Sequence, residues 1–501
     1  MPSYVPHTSG DIARMLSDLG LSSVDDLFAC VPEALRLAGG LDIPPGLAEP
    51  DVASEMARLA RKNRSAEELV CFAGGGAYDH DVPAVTRALA SRSEFVTAYT
   101  PYQPEVAQGV LQALFEYQTL VSRLAGLPVA NASLYDGATA LVEAVNLAAA
   151  ATGRRTVWLS QGVNPRWRDV LRTLTAGTGA QIVDIALRDG QTDWSGALAS
   201  LRSAARPTSS APGFNVKPAS ESAPGAVVVA SPNYLGCIDP IAPARSAAGA
   251  TGALLVCAFD PVAAGLLRSP GEQGADVAVA EGQPLGTPLA FGGPYLGMFA
   301  VGQAYVRRLP GRLVGRGADR QGKTAYVTTL RAREQDIRRE KASSNICTNQ
   351  TLVAIAAMVQ LSWLGPHGLR ELALRCARGT RYARESLLAI PGVRPLVSAP
   401  VVREFAVELP VPPEAVIERM AEEGFLAGLP VSAEGRQGLL VAVTEKRTRA
   451  QVDAYAKAMS KVISAVKRPW STRRRPHQAS RPASEAKSWA EGARKTGTAV
   501  E

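Results

Sequence analysis

Five short apolar runs limit this chain to a small set of folds. They are Thr156–Ser160 (TVWLS), Gln181–Leu187 (QIVDIAL), Ala226–Ala230 (AVVVA), Ala253–Phe259 (ALLVCAF) and Ala275–Ala280 (ADVAVA). Each is of strand length, nearly continuous in its hydrophobicity, and divided from the next by helical or glycine-rich sequence. A strand that is apolar on both sides has to be covered on both sides, and a parallel sheet with crossover helices does this. Strands and helices alternate in this way over residues 70–310. The expectation for residues 70–370 is therefore a large three-layer α/β domain with a mostly parallel sheet. Ligands of such sheets gather at the C-terminal strand ends, so the residues after each run matter most.

A chain of 501 residues exceeds one typical core and implies two or three domains. Residues 1–69 read as an N-terminal helical arm. Ile12, Met15, Leu16 and Leu19 share one helix face, and a second helical run covers Pro50 to Lys62. After residue 370 the pattern becomes helix, strand, helix, strand, helix. Its strands lie near Arg403–Leu409 and Gly438–Thr444, which makes residues 371–466 a small α+β domain. The Ser-, Pro- and Ala-rich stretch 203–224 is a surface insertion.

The net charge is +8, but residues 467–501 hold nine Lys/Arg against three Glu and so contribute +6 of it. That tail has too few apolar residues to offset its ordering entropy and reads as disordered and solvated. The remainder is nearly neutral, which argues against a nucleic-acid binder. No run reaches the roughly 18 apolar residues of a membrane helix, and Met1–Leu16 has no secretory pattern. The six cysteines are scattered without C-x-x-C spacing and there are four histidines. This implies free thiols in a reducing cytoplasm and argues against a zinc site.

Several segments carry possible chemistry. In Tyr99–Gly126 a helix is expected from about Pro104, with Val106, Val110, Leu114, Tyr117, Val121 and Leu124 as its buried stripe. Tyr99, Tyr102 and Gln103 precede it, and a polar aromatic loop there suits either ligand binding or interface packing. In Asn131–Thr152 the turn Asp136-Gly137 leads into an alanine-rich helix. Its free N–H groups attract a phosphate or carboxylate, or Asp136 is simply its N-cap. Asp260 closes the fourth apolar run. An aspartate at one strand end and a lysine at the next is how pyridoxal-phosphate enzymes of the aminotransferase-like class are built. Here the second loop, EGQPLGTPLAFGG, carries Gln283, and no lysine occurs between Lys217 and Lys323. Finally, Thr329–Met358 is basic, then polar, then apolar. It is either a solvated charged helix capped near Thr348 or Asn349, or a functional cationic patch.

The motifs YDHDVPAV, SRSEF, TAYTPYQPE, FEYQT, NASLYDGATAL, EGQPLG, FGGPYLG, LPGRLVG and REKASSNICTNQ follow one another over residues 10–450. Together they resemble the P-protein family of the glycine cleavage system. Within it they look like the separate alpha subunits, which match the N-terminal half of the fused enzyme. The resemblance implies a pyridoxal-phosphate fold type I domain whose Schiff-base lysine belongs to a sister subunit, so Gln283 marks a degenerate loop and no catalytic lysine is expected. It implies that the complex decarboxylates glycine and passes the aminomethyl group to the lipoyl arm of H-protein. Two copies of each subunit are expected, in the cytoplasm, with pyridoxal phosphate held covalently by the sister chain and no metal. Tyr99, Tyr102, Gln103, Arg339, Lys341 and Asn345 are carried over as substrate or interface residues, and Asp136, Thr139 and Asp260 as the degenerate cofactor site. Where the family usually has V-H-P, this chain has Asn164. The rival readings are a cofactor-free regulatory or binding pseudoenzyme, and a self-sufficient enzyme using Lys323 or Lys341.

Overall fold

The computed structural model describes residues 6–37, 41–204 and 223–467. Nearly all of the expected 203–224 insertion and the basic tail 467–501 lie outside these residues. The chain forms two compact units, Met1–Arg64 and Ser65–Glu501.

In the first unit, α1 (Ser9–Asp18) starts at a capping box. The Asp11 N–H donates to Thr8 Oγ1 at 3.2 Å, and the Thr8 N–H donates to Asp11 Oδ2 at 2.9 Å. α2 (Glu49–Ala60) takes Pro50 in its first turn. Two short 3₁₀ turns, Val24–Phe28 and Glu33–Leu35, stand between them. The Ile12–Leu19 face is not buried, since neither helix of this unit contains a buried residue.

In the second unit α3 (Gln108–Ala125) and β1 (Val129–Ala130) lead into an alternating series. It comprises α4 (Gly137–Thr152), β2 (Thr156–Ser160), α5 (Pro165–Thr175), β3 (Gln181–Ile185), β4 (Ala226–Ser231), α6 (Ile241–Thr251), β5 (Leu254–Phe259), β6 (Val277–Glu281) and β7 (Gly297–Val301). The seven strands lie in the order β1-β7-β6-β5-β4-β2-β3. The five expected runs are the parallel part of this sheet. β7 pairs antiparallel with β6, and β1 with β7. Every residue of β2, β4, β5 and β6 is buried. Alternation along the strands deals side chains to two opposite layers. Val256, Ala258, Val277 and Val279 join the cluster under α4, while Leu255 and Cys257 join the one under α6. Ala278 and Ala280 pack with α3 and with α7 (Thr351–Leu388). Three layers result.

α3 departs from expectation at its start. Gln108 donates to the Pro104 carbonyl at 2.7 Å and to the Tyr326 carbonyl at 2.9 Å, which fixes the preceding residues as a turn. Helical periodicity applies only from Gln108 onward, so Val106 is 83% exposed while Val110, Leu114, Tyr117 and Val121 are buried. The basic segment is not a solvated helix either. It forms a single turn at Gln335–Arg338 between 3₁₀ turns, and α7 begins at Thr351, after the expected caps. α7 is the one helix, among the described residues, long and apolar enough to cross a membrane. Half of its apolar stretch is buried inside the protein, and Gly365 (φ 60°, ψ −178°) breaks it before Pro366.

Past α7, β8 (Arg394–Pro395), β9 (Glu404–Glu408), β10 (Leu429–Ala433) and β11 (Arg436–Ala442) make an antiparallel sheet ordered β8-β9-β11-β10. β10 went unread because Pro430 confines it to a sheet edge. Phe405, Val407, Leu439, Val441 and Tyr455 form the core of this region with Phe72.

Candidate functional site

The chain runs from β2 outward to β3 and then returns to lay β4 on the other side of β2. The crevice at such a reversal is the ligand edge of an open α/β sheet. The loops that follow β2, β4, β5 and β6 meet there, around a cavity of about 90 Å³ lined by residues that include Tyr78, Asn164, Trp167, Tyr234, Asp260 and Glu404.

Asp260 follows β5. Its Oδ1 accepts the Val262 N–H at 2.8 Å, and its Oδ2 lies 2.5 Å from Nη2 of Arg403. Arg403 arrives from the entry to β9 and is buried. Its guanidinium carbon sits 3.6 Å from the centre of the Tyr78 ring, and its Nη1 is 2.6 Å from His80 Nε2. A guanidinium only donates, so His80 Nε2 accepts and the ring is the neutral Nδ1–H tautomer. That Nδ1 in turn meets Glu445 Oε2 at 2.6 Å. His80, Glu445 and Cys376 come close enough together to suggest metal ligands. However, both ring nitrogens are already engaged, one of them by a cation, and burial pushes the Cys376 thiol up.

Glu404, the next residue, accepts the Gly75 N–H at 2.5 Å and the Tyr78 hydroxyl at 2.8 Å. Burial pushes its carboxyl up to about 7, against the pull of those bonds and of Arg403.

Gln283 is fully buried in the turn after β6. Its oxygen accepts the Tyr78 N–H at 2.9 Å, and its amide donates to the carbonyls of Tyr78 at 3.0 Å and Thr287 at 2.9 Å. The side chain has turned away from the cavity into backbone. Asp136 is an N-cap, as one of the two readings held. Its Oδ1 accepts the Thr139 N–H at 2.7 Å, and Thr139 Oγ1 accepts the Asp136 N–H at 3.1 Å. The Gly137 N–H goes to Glu281 Oε2 at 2.9 Å, and Glu281 Oε1 accepts the Gln283 and Leu296 N–H groups, each at 2.9 Å. Asn164 has a local role: its oxygen caps α5 at the Arg166 N–H, and its amide donates to the Gly75 carbonyl at 2.9 Å.

These residues do not fit a bound pyridoxal phosphate. No lysine lines the cavity. The N–H groups that would grip a phosphate already face two carboxylates, and Asp260 already has its cation. The cavity of about 90 Å³ is also well short of the roughly 300–1,000 Å³ of small-molecule sites. Lys323 and Lys341 are exposed and do not line the cavity.

A family model described as the glycine cleavage system P-protein matches residues 2–459. The chain belongs to that family. A Prosthecochloris aestuarii protein named "Probable glycine dehydrogenase (decarboxylating) subunit 1" is 44% identical over 460 residues, 92% of this chain and 99% of that one. The crystal structure of a glycine decarboxylase (P-protein) of the glycine cleavage system, in inhibitor-bound form, is 45% identical. It covers 92% of this chain and 100% of that one, with a TM-score of 0.81. The cysteine desulfurase of Escherichia coli, at 13% identity and TM-score 0.56, covers 82% of this chain and 98% of its own and shows the fold alone. The fold is thus the aminotransferase-like, pyridoxal-phosphate fold type I.

Within this P-protein chain the other expected site residues lie apart from the cavity. Tyr99 is 85% exposed and Tyr102 54%, the latter with the buried Arg312 guanidinium 5.5 Å from its ring centre. Gln103, Arg339, Lys341 and Asn345 are exposed too, and Arg339 takes a φ of 52°. The end of the same motif is anchored: Asn349 donates to the Ala132 carbonyl at 2.7 Å, and the Cys347 N–H to the Tyr135 hydroxyl at 3.3 Å. Sequence reading missed Arg403, His80, Glu281, Glu404 and the fully exposed Phe291. The one available signal was a charge at the edge of an apolar run, Glu281 after ADVAVA and Arg403 before EFAVEL.

Proposed function

We propose that this chain is the lysine-lacking alpha subunit of a P-protein that decarboxylates glycine and hands the aminomethyl group to the lipoyl arm of H-protein. The observation that carries this is Gln283. In a chain of this family, the turn after β6 holds a buried amide bonded to backbone on both sides. A covalent link to pyridoxal phosphate therefore has to come from a second chain, which agrees with the "subunit 1" in its relative's name. We take the complex to hold two copies of each subunit and to work in the cytoplasm, where thiols such as the exposed Cys30 and Cys347 stay free.

This chain's part in the reaction is to complete the site from outside. Tyr99, Tyr102, Gln103, Arg339, Lys341 and Asn345, to which we add Phe291, supply exposed aromatic, amide and cationic groups suited to meeting the sister subunit, the glycine carboxylate and the lipoyl arm. A regulatory or binding role without a catalytic partner has no comparable support, because relatives at 44% and 45% identity carry the name of an enzyme subunit.

The test is co-expression with the lysine-bearing subunit. The two chains should copurify, and the pair should exchange the glycine carboxyl with bicarbonate while this chain alone does not. Two chains that neither copurify nor exchange together would refute the proposal.

A further inference from the structure

We infer that the cofactor seat of this chain is occupied from within, with Arg403 standing in for the cofactor's ring cation and Glu281 for its phosphate. In a fold of this class three handles grip the cofactor: an acid at the end of β5, the N-terminus of α4, and a side chain in the turn after β6. Each handle is taken by a group of the same chain. Asp260 pairs with Arg403 Nη2 at 2.5 Å. The Gly137 N–H at the start of α4 donates to Glu281 at 2.9 Å. Gln283 spends its one acceptor and both its donors on Tyr78 and Thr287.

The stand-ins are fixed rather than opportunistic. Arg403 is held at Nη2 by Asp260, at Nη1 by His80 and against its face by Tyr78, and His80 is held in turn by Glu445. A cation gripped on three sides cannot swing away without depriving the half-buried Asp260 of its cation and leaving its own buried charge uncompensated. Space closes as well. A Cβ on Gly137 would lie 2.1 Å from the Trp167 ring, so the indole packs directly against the first residue of α4. Returning a lysine to position 283 therefore does not reopen the seat, because two other handles stay filled. The same contacts fasten the β9 end of the C-terminal sheet to the edge of the large sheet, making this region a fixed joint.

The probe is pyridoxamine 5′-phosphate, which has the ring nitrogen and phosphate but no aldehyde to label surface lysines, applied to the purified full-length chain. The wild-type chain is expected to give no binding heat and no change in melting temperature. Asp260→Asn should lower the melting temperature by at least ~5 °C in the absence of any ligand, because it strands the buried Arg403. Adding Arg403→Met to Asp260→Asn should recover part of that loss. Gln283→Lys should take up no pyridoxal phosphate, read as visible absorbance. A ligand-dependent rise in the wild-type melting temperature, an Asp260→Asn chain that melts like wild type, or stoichiometric uptake by Gln283→Lys would each overturn the inference. The wild-type and Asp260→Asn melts decide it even if Gln283→Lys does not fold. All these measurements use this chain alone, so their failure is separate from any failure of the shared activity proposed above.

Discussion

Gln283 contributes most where it is least visible, in the backbone of its neighbours. Replacing it with alanine would leave the part-buried Tyr78 N–H and the Tyr78 and Thr287 carbonyls without the partners they now have. We expect Gln283→Ala to cost about 2–4 kcal/mol of unfolding free energy, measured by denaturant titration of the lone chain. Glu404 sets a pH dependence. Its folded carboxyl is raised to about 7 from an ordinary 4.5, so the folded state prefers it protonated. Its contribution is then fully present below pH 4.5 and is lost as pH rises through 7. Glu404→Gln should flatten that decline in melts across this window, since the Tyr78 hydroxyl can turn from donor to acceptor. Gln283 was legible in the sequence because a missing lysine shows at a single position. Arg403 and Glu281 were not, because their partners Asp260 and Gly137 are brought to them only by the packing of distant strands and helices.

Individual elements turn on a few glycines for different reasons. At Gly137 the backbone is ordinary, but the added methyl would meet the Trp167 ring at 2.1 Å. At Gly365 nothing lies within 4 Å, but a φ of 60° with a ψ of −178° is a conformation essentially reserved for glycine. Gly137→Ala should therefore destabilise by about 1–3 kcal/mol through overpacking. Gly365→Ala should do so by about 1–3 kcal/mol through backbone strain alone. Thermal melts of the two variants check both, and a wild-type melting temperature in either would contradict its stated cause. Four of the five parallel strands were legible because burial on both faces leaves an unbroken apolar signature, whereas β3 is a largely exposed edge strand that keeps only part of that signature. β1, with two residues, and β10, with its proline, are recognised by their neighbours rather than by their own composition. The start of α3 depends on a Gln108 contact with Tyr326 that no local pattern carries.

At the scale of the molecule, the proposed site has two parts. The interior seat is filled by side chains of the same chain, while the loops and basic segment expose aromatic and cationic groups. If Arg339 or Lys341 faces the shared site, alanine there removes a charge-assisted hydrogen bond of about 1.5–3 kcal/mol, or one to two decades in kcat/KM. We expect this for at least one of the two in glycine–bicarbonate exchange at fixed ionic strength, with the complex still assembled. Wild-type kcat/KM in both would return the segment to a solvated surface. The most direct test of the account is to reduce the active complex with borohydride, separate its two chains and weigh each. The account predicts one phosphopyridoxyl group on the lysine-bearing subunit and none on this chain. A stoichiometric phosphopyridoxyl group on this chain would contradict it.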